Sequence, residues 1–426
     1  MNIEKLHKIF LNSEGISTDT RIIKRNQLFF ALKGESFDGN KYAHAAIENG
    51  AAFAIVDNPQ ILKSDKFIFV DDVLLSLQNL AKFHRKYLNI PIIGITGTNG
   101  KTTTKELINA VLQKKFKTFA TQGNLNNHIG VPLTLLSMNK DTELGIVEMG
   151  ANHPGEIAFL SSIVQPDYGL ITNIGKAHLE GFGSFEGVKK TKNELYLQIA
   201  QSEKTLFVNA DDSLLMELSE NINRVLYGKK VDKNNVFAIK KNDIFLSVKW
   251  NNSIINTQLV GDYNFYNVLA AIKIGLYFKI PKKDIISAID KYVPTNNRSQ
   301  FKHTGKNKLI VDVYNANPVS MKLAINNFHK IDADNKLLLL GDLLELGDVS
   351  IEEHKNILEH IKKLNFTKAY FVGNEFYRFS KENYPYLFFK TVDDLNKHLK
   401  KENIKEHYVL LKASRGIKLE KAIPYL

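Results

Sequence analysis

A glycine-rich segment at residues 94–103 has the composition and spacing of a phosphate-binding loop. It reads Gly94-Ile-Thr-Gly-Thr-Asn-Gly-Lys-Thr-Thr and begins inside an apolar run from Ile92 that is typical of a buried strand. A helix is predicted from Thr102, because Leu107 and Val111 fall on one face. Glycines let backbone N–H groups surround phosphate oxygens, and the helix N-terminus adds partial positive charge. The segment therefore predicts ATP binding.

The side chains at the end of this loop could hold the phosphates and a metal ion. Lys101 can reach the β- and γ-phosphates, and the Thr102 hydroxyl can bind Mg²⁺. The strict pattern has glycine at position 95, where this chain has Ile95, so a glycine-rich turn with a chance Lys-Thr pair is the alternative. The flanking strand and helix favour the loop, which alone does not distinguish a ligase from a kinase or a GTPase. The predicted loop contacts are Gly97, Thr98, Asn99, Gly100, Lys101, Thr102 and Thr103.

Glu148, His178 and Lys192 follow predicted strands, where an open α/β sheet places its ligands. A glutamate at the end of a buried strand costs free energy unless a cation lies beside its carboxylate. The alternative for Glu148 is a structural glutamate that is paired within the protein. A lone histidine such as His178 is more often a surface or core residue than a ligand. On composition Lys192 is a solvated helical lysine. These residue types alone predict an ATP- and magnesium-dependent enzyme and no particular reaction.

The composition of the 426-residue chain is that of a globular protein with several cores, at 44% hydrophobic and 24% charged residues. The absence of cysteine excludes disulfides, thiol nucleophiles and thiolate metal sites. The net charge of +12 suits anionic partners, but the lysines form no stripe interleaved with aromatic residues. We therefore expect small anionic substrates and no nucleic acid. The sequence shows no export signal and no bilayer-length apolar run, so we expect a cytoplasmic protein without membrane insertion.

The spacing of apolar runs predicts an α/β protein with three domains. Residues 1–88 mix short strands and helices in a small N-terminal α/β domain. Residues 89–297 predict a central ATPase domain, in which a parallel sheet carries the phosphate loop and antiparallel strands follow over 236–260. Residues 298–426 repeat a strand-helix rhythm and predict a Rossmann-like C-terminal domain. We expect this last domain to close over the nucleotide.

Several sequence strings, taken in order, resemble the Mur ligase family. They are the loop at 97–103, the segment 123–132, Glu148-Met-Gly-Ala, the segment 173–179, and Asn264 with Asn267. Three C-terminal strings, 312–318, 340–347 and 412–415, resemble the branch of the family that uses D-alanyl-D-alanine. Each string is moderately specific, whereas the ordered set is highly specific and covers nearly the whole chain.

This resemblance implies an amide ligase of peptidoglycan precursor synthesis. ATP would phosphorylate the terminal carboxylate of a UDP-N-acetylmuramoyl-tripeptide, and the amine of D-alanyl-D-alanine would then displace phosphate from the acyl phosphate. The resemblance implies two Mg²⁺ ions, one held by Thr102 and Glu148 and the second held with the help of His178. Lys192 matches the lysine that the family carbamylates with carbon dioxide. Lys101, Glu148, His178 and Lys192 would be the catalytic residues.

The resemblance also implies further contacts with substrates. Asn267 would lie near the adenine, and Arg298 and Asp312 near the ribose and phosphates. The implied contacts with the other substrates are Thr20, Arg21, Asn126, Asn127, Asn315, Asn317 and Arg415. Turns, helix caps and a surface ion pair are the structural alternatives for several of these residues. The chain departs from the family pattern at Tyr263, where a histidine is usual.

Three alternatives remain open from the sequence. A sister ligase that adds a single amino acid to a muramoyl or folate substrate is the nearest, although the strings at 314–318 and 340–347 argue against it. A basic, nucleotide-dependent nucleic-acid binder would fit the charge, and a binding module without turnover would fit the loop. The small-molecule ligase, acting as a monomer, is the prediction that accounts for all of the strings.

Overall fold

The computed structural model describes residues 1–61, 64–229, 231, 236–239, 244–295 and 297–426. In these ranges, three parallel or mostly parallel sheets succeed one another along the chain, each packed with helices. The predicted three-domain α/β architecture is confirmed. No helix in the described part of the chain combines the length and the apolar character that crossing a bilayer requires.

The N-terminal sheet has the strand order β1-β2-β5-β6, and its pairs are parallel. Its short central strands are buried apart from Phe53 at the start of β5, as expected for strands with layers on both faces. The helices and strands of this region are α1 (Ile3–Leu11), β1 (Ile16–Ser17), β2 (Leu28–Phe30), β3 (Lys33–Gly34), β4 (Phe37–Asp38), α2 (Ala43–Glu48), β5 (Phe53–Val56), β6 (Phe67–Phe69) and α3 (Val73–Leu88).

The central sheet has the order β12-β11-β10-β7-β9-β8, and its pairs are parallel. Its elements are β7 (Ile92–Thr96), α4 (Lys101–Leu112), β8 (Thr118–Ala120), α5 (Gly130–Leu136), β9 (Leu144–Glu148), α6 (Glu156–Val164), β10 (Tyr168–Ile171), α7 (Leu179–Phe182), α8 (Phe185–Gln201), β11 (Thr205–Asn209), α9 (Ser213–Leu218) and β12 (Arg224–Tyr227). Ile92 faces one apolar cluster, and Ile93 and Ile95 face another, because helices cover both faces of the sheet. Because β10, β7 and β9 are neighbours in the sheet and run parallel, their carboxyl ends lie side by side.

An antiparallel sheet and two helices follow the central sheet. They are β13 (Val236–Ile239), β14 (Phe245–Trp250), β15 (Ser253–Val260), α10 (Phe265–Tyr277) and α11 (Lys282–Lys291). The predicted antiparallel strands over 236–260 are confirmed where the structure describes them, and residues 240–243 lie outside the described ranges. Helix α10 packs along α4, which brings its N-terminal end beneath the phosphate loop.

The C-terminal sheet has the order β16-β17-β21-β18-β19-β20. Its elements are β16 (Gln300–His303), β17 (Lys308–Asp312), α12 (Pro318–Lys330), β18 (Lys336–Gly341), α13 (Ser350–Lys363), β19 (Ala369–Val372), α14 (Asn374–Tyr377), β20 (Leu387–Phe389), α15 (Val392–Glu402) and β21 (Tyr408–Lys412). The edge strand β16 is antiparallel to β17, and the other pairs are parallel. The predicted Rossmann-like arrangement is thus confirmed, with an antiparallel edge that the sequence pattern did not indicate.

Candidate active site

The phosphate loop joins the end of β7 to the start of α4, as the sequence predicts. Two of its glycines adopt positive φ angles, +140° at Gly97 and +79° at Gly100. A Cβ atom would lie 2.0 Å from Thr172 Oγ1 at Gly97 and 2.8 Å from Asn267 Oδ1 at Gly100. Glycine is therefore required at both positions by backbone geometry and by close packing.

The segment after β10 holds the loop in place through side chains and backbone. The Thr172 hydroxyl donates to the Asn99 carbonyl at 2.7 Å, and the Asn99 N–H donates to Asn173 Oδ1 at 3.1 Å. The Gly175 N–H donates to the Thr98 hydroxyl at 2.9 Å. These bonds fix a curved backbone before any ligand arrives, which lowers the ordering cost of binding.

Lys101 lies over the loop at the N-terminus of α4. Its Nζ donates to the Gly97 carbonyl at 2.7 Å and to the Thr98 carbonyl at 3.1 Å. Burial lowers the pKa of this ammonium below its usual value, although the Glu148 carboxylate opposes the shift. The cation is therefore held where it can meet a phosphate oxygen with little competing solvent.

Thr102 and Glu148 meet at the carboxyl edge of the central sheet. The Thr102 hydroxyl donates to Glu148 Oε2 at 2.8 Å, and Asn126 Nδ2 donates to Glu148 Oε1 at 2.8 Å. Glu148 is 1% exposed, so its carboxylate is shielded from solvent and oriented by two donors. Two adjacent oxygen donors at the end of a phosphate loop fit Mg²⁺, which completes its shell with phosphate oxygens and water.

His178 and Lys192 share one aromatic neighbour, the buried ring of Phe182. The His178 ring packs edge-on to Phe182 at 6.4 Å, and Lys192 Nζ lies 5.4 Å from the same ring centroid. Lys192 is 3% exposed, and its Nζ donates to the Ala151 carbonyl at 3.5 Å. Burial, together with the nearby charge of Lys101, lowers the pKa of Lys192 to about 7. The expectation from composition that Lys192 is a solvated lysine is wrong, because α8 turns it into the core.

A cleft of about 810 Å³ separates the phosphate loop from the C-terminal sheet. Asn317 Nδ2 donates across it to Asn99 Oδ1 at 2.8 Å. Asp312 accepts from Lys412 Nζ at 2.5 Å and from the Ser299 N–H at 3.2 Å. The predicted site residues that line the cleft are Thr98, Asn99, Gly100, Lys101, Thr103, Asn126, Asn127, Glu148, His178, Asn267, Arg298, Asp312, Asn315 and Asn317.

Tyr314 forms an aromatic platform for two arginines on the C-terminal side of the cleft. The guanidinium carbon of Arg298 lies 3.5 Å from the ring centroid, and that of Arg415 lies 4.9 Å from it. Tyr263, which also lines the cleft, contacts Ser299 Oγ through its hydroxyl at 2.8 Å. Burial raises the pKa of Tyr263 above its usual value, so its hydroxyl stays protonated.

Several predicted residues have local structural bonds. Asn267 donates to Asn264 Oδ1 at 2.8 Å and accepts from the Thr104 hydroxyl at 3.0 Å, which fixes it beneath the loop. Asn127 Oδ1 accepts from the Gly130 N–H at 2.9 Å, at the start of α5. Thr20 and Arg21 lie in the N-terminal region, where the exposed Arg21 pairs with Asp19 at 2.6 Å.

Two buried lysines near the site were missed by sequence reasoning. Lys105 is 3% exposed and donates to the Thr121 carbonyl at 2.5 Å, and Lys412 is 2% exposed beside Asp312. Lys412 closes a buried strand, which is the same signal that pointed to Glu148. Lys105 follows Lys101 by four residues and so lies on the same face of α4. Both signals were available in the sequence.

Family models match the chain in three consecutive segments. The model described as "Mur ligase family, catalytic domain" matches residues 12–96, the middle domain matches 95–275, and the glutamate ligase domain matches 297–415. The UDP-N-acetylmuramoyl-tripeptide–D-alanyl-D-alanine ligase of Bacillus subtilis strain 168 is 34% identical, over 96% of this chain and 92% of the relative.

Solved structures of the family share the whole fold. MurF from Acinetobacter baumannii superposes with a TM-score of 0.86 at 28% identity, covering 99% of this chain and 98% of that one. MurF ligase from Thermotoga maritima in complex with ADP superposes with a TM-score of 0.83 at 25% identity, covering 98% and 97%. With its phosphate loop, its paired Thr102 and Glu148, and this full-length likeness to known ligases, the chain belongs to the Mur ligase family.

Proposed function

We propose that the chain is an ATP-dependent ligase that joins D-alanyl-D-alanine to the tripeptide carboxylate of UDP-N-acetylmuramoyl-tripeptide. This is a cytoplasmic step of peptidoglycan precursor synthesis, and the protein acts on small molecules as a monomer. Full-length relatives that carry this name support the assignment. The observation that carries it is the phosphate loop, which faces Asp312 at the end of β17, and Asn315 and Asn317 just after it, across one cleft.

ATP binds with its phosphates on the loop between β7 and α4. The N–H groups of the loop and Lys101 contact the phosphates, and Asn267 supports the loop from beneath. Arg298 and Asp312 reach the nucleotide from the start of the C-terminal region. The Thermotoga maritima enzyme, which shares this fold, was solved in complex with ADP, and this supports nucleotide binding by the chain. We further propose that the domain boundaries lie near residues 88 and 297.

The donor set fits two Mg²⁺ ions. Thr102 and Glu148 would hold the first, and His178 with a carbamylated Lys192 would help to hold the second. In the described residues, no group of three or more acidic or histidine side chains forms a site by itself, so bound ions would also need ligands from phosphate oxygens, the carbamate or water. When bound, the ions disperse the negative charge that develops as an anionic acceptor approaches ATP.

The tripeptide carboxylate is a poor electrophile, so it must be activated before an amine can attack it. A carboxylate oxygen of the tripeptide attacks the γ-phosphorus, the bond to ADP breaks, and an acyl phosphate forms. The amine of D-alanyl-D-alanine then attacks the acyl carbon, and phosphate leaves as the amide forms. Lys101 stabilises the charge on the transferring phosphoryl group, and the closed cleft excludes water from the acyl phosphate.

The other two substrates reach the cleft from opposite sides. Thr20 and Arg21 bind the uridine nucleotide in the N-terminal region, and Asn126 and Asn127 approach the muramoyl side of the cleft. On the far side of the cleft, Asn315, Asn317 and Arg415 contact the dipeptide acceptor. The contact between the Arg415 guanidinium and the Tyr314 ring holds Arg415 in position for this role.

The test is release of phosphate from ATP, measured with UDP-N-acetylmuramoyl-tripeptide in the presence and absence of D-alanyl-D-alanine. We expect turnover only when tripeptide, dipeptide and ATP are all present, with the UDP-muramoyl-pentapeptide as the product seen by mass spectrometry. Lys101→Met serves as the inactive control. Turnover with single amino acids but none with the dipeptide would assign the chain to a sister ligase instead.

A further inference from the structure

Glu345, in the loop after β18, contacts the central region at a single histidine. Its Oε2 contacts Nδ1 of His178, a residue that precedes α7 at the edge of the cleft. Both residues have left-handed backbones, with φ of +51° at His178 and +63° at Glu345. Non-glycine residues adopt this conformation where the surrounding structure holds them there. The contact thus joins two loops with defined conformations.

Neighbouring residues make the same two loops pack together. A Cβ atom added to Gly347 would lie 3.6 Å from Glu180 Cβ, so the loop after β18 rests on α7. On its other side, the His178 ring meets Phe182 edge-on. The imidazole is therefore held between its own helix and a carboxylate from the C-terminal sheet.

The chemistry of the pair selects one form of the histidine. A carboxylate can only accept a hydrogen bond, so the contact places the hydrogen on Nδ1 of His178. The lone pair of Nε2 is then free to bind a cation. A carboxylate bonded to the non-coordinating nitrogen is the arrangement by which metal-binding histidines are oriented and made more basic.

We infer that Glu345 is a positioning residue that orients His178 toward the second metal ion and couples binding of that ion to closure of the C-terminal domain. The inference rests on the proposed role of His178 as a metal ligand. Because His178 follows a strand of the central sheet and Glu345 follows a strand of the C-terminal sheet, movement of the C-terminal domain away from the central region would break the contact. By linkage, closure strengthens metal binding and metal binding strengthens closure to the same extent. A partly exposed side-chain hydrogen bond alone contributes little, so the metal ion supplies most of the coupling.

Manganese titrations test the inference without relying on turnover. Mn²⁺ binding to the full chain with a non-hydrolysable ATP analogue is followed by electron paramagnetic resonance in His178→Ala, Glu345→Ala and Glu345→Gln. We expect Glu345→Ala to weaken the His178-dependent ion about 10-fold or more. Glu345→Gln should be intermediate, because its amide oxygen still accepts from Nδ1. Asp348→Asn, an exposed acid in the same loop, is the matched control and should bind like the unsubstituted protein.

Small-angle scattering on the same samples reports closure. We expect the radius of gyration to fall with Mn²⁺ and the analogue in the unsubstituted protein and in Asp348→Asn, but less in Glu345→Ala. If His178→Ala loses the ion while Glu345→Ala binds and closes normally, the role of Glu345 is overturned and the metal role of His178 stands. If His178→Ala binds the ion normally, the role of Glu345 and the metal role of His178 are both overturned. Unchanged unfolding temperatures establish that the variants are folded.

Discussion

The burial of Lys192 suits the carbamylation that we propose for it. Carbon dioxide adds only to a neutral amine, and a pKa of about 7 leaves a large neutral fraction near neutral pH. We expect Lys192→Ala to lower kcat about 100-fold or more, because charge stabilisation at the second ion is lost. Lys192→Glu should retain more activity, since a carboxylate can replace the carbamate oxygens. Phosphate release under saturating substrates measures both.

A nearby lysine provides the control for these variants. Lys190 lies on the exposed face of α8, two residues before Lys192, so Lys190→Ala should keep nearly full activity. Equal and near-native rates for Lys192→Ala and Lys192→Glu would discard the carbamate role. Restoration of Lys192→Ala by added short-chain acids would support it.

Residue types predicted part of this site and not the rest. Glu148 could be predicted, because a charge that closes a buried strand needs a partner wherever the strand lies. Lys192 could not be predicted from composition, because its burial depends on how α8 packs against α6 and the sheet. Only the resemblance to the Mur ligase family pointed to Lys192 as a site residue.

At the scale of elements, a buried histidine pair joins helices α1 and α3. His7 Nε2 contacts His84 Nδ1 at 3.0 Å, and His84 Nε2 contacts the Met138 carbonyl at 2.9 Å. His7 is 3% exposed and His84 is 2% exposed, so charging either one is disfavoured. Burial lowers the pKa of His7 to about 4 and also lowers that of His84. The pair links the N-terminal and central regions in its neutral state.

This pair predicts loss of stability in mild acid. Below an unfolded pKa of about 6.5 the unfolded chain binds protons that folded His7 does not, so unfolding becomes more favourable as the pH falls. The His7 contribution amounts to about 2 kcal/mol between pH 7.5 and pH 5. Urea unfolding at both pH values should show a smaller decrease in the free energy of unfolding for His7→Gln than for the unsubstituted protein. The amide of the glutamine can still contact His84. An identical decrease in both proteins would exclude His7 as a source.

Strands were easier to predict where the local run of apolar residues was longer. Strands β11 and β21 are evident from the sequence, because each contains three consecutive buried apolar residues. Strands β8 and β20 were not predicted. Each has only three residues, and such short runs become strands through pairing with a neighbour that the sequence does not specify.

For the whole molecule, the contacts across the cleft were beyond sequence reasoning. Asn99 and Asn317 are 218 residues apart, and their pairing depends on how two separately formed sheets face each other. Local periodicity places each asparagine in a loop but carries no information on the distance between them. The ordered family strings implied a shared site, whereas the particular bond required the structure.

Asn317 has two functions that one substitution can separate. Its Oδ1 accepts from the Ser320 N–H at 2.8 Å and caps α12, while its Nδ2 donates to Asn99 across the cleft. Asn317→Ser keeps a good cap but is too short for the bridge, whereas Asn317→Ala removes both. We expect Asn317→Ser to unfold like the unsubstituted protein and to raise the KM for ATP about 2- to 10-fold, the value of one neutral hydrogen bond. Asn317→Ala should show the same KM change and also lose about 1 kcal/mol of stability. A normal KM for ATP in both variants would show that the Asn99 contact does not assist nucleotide binding.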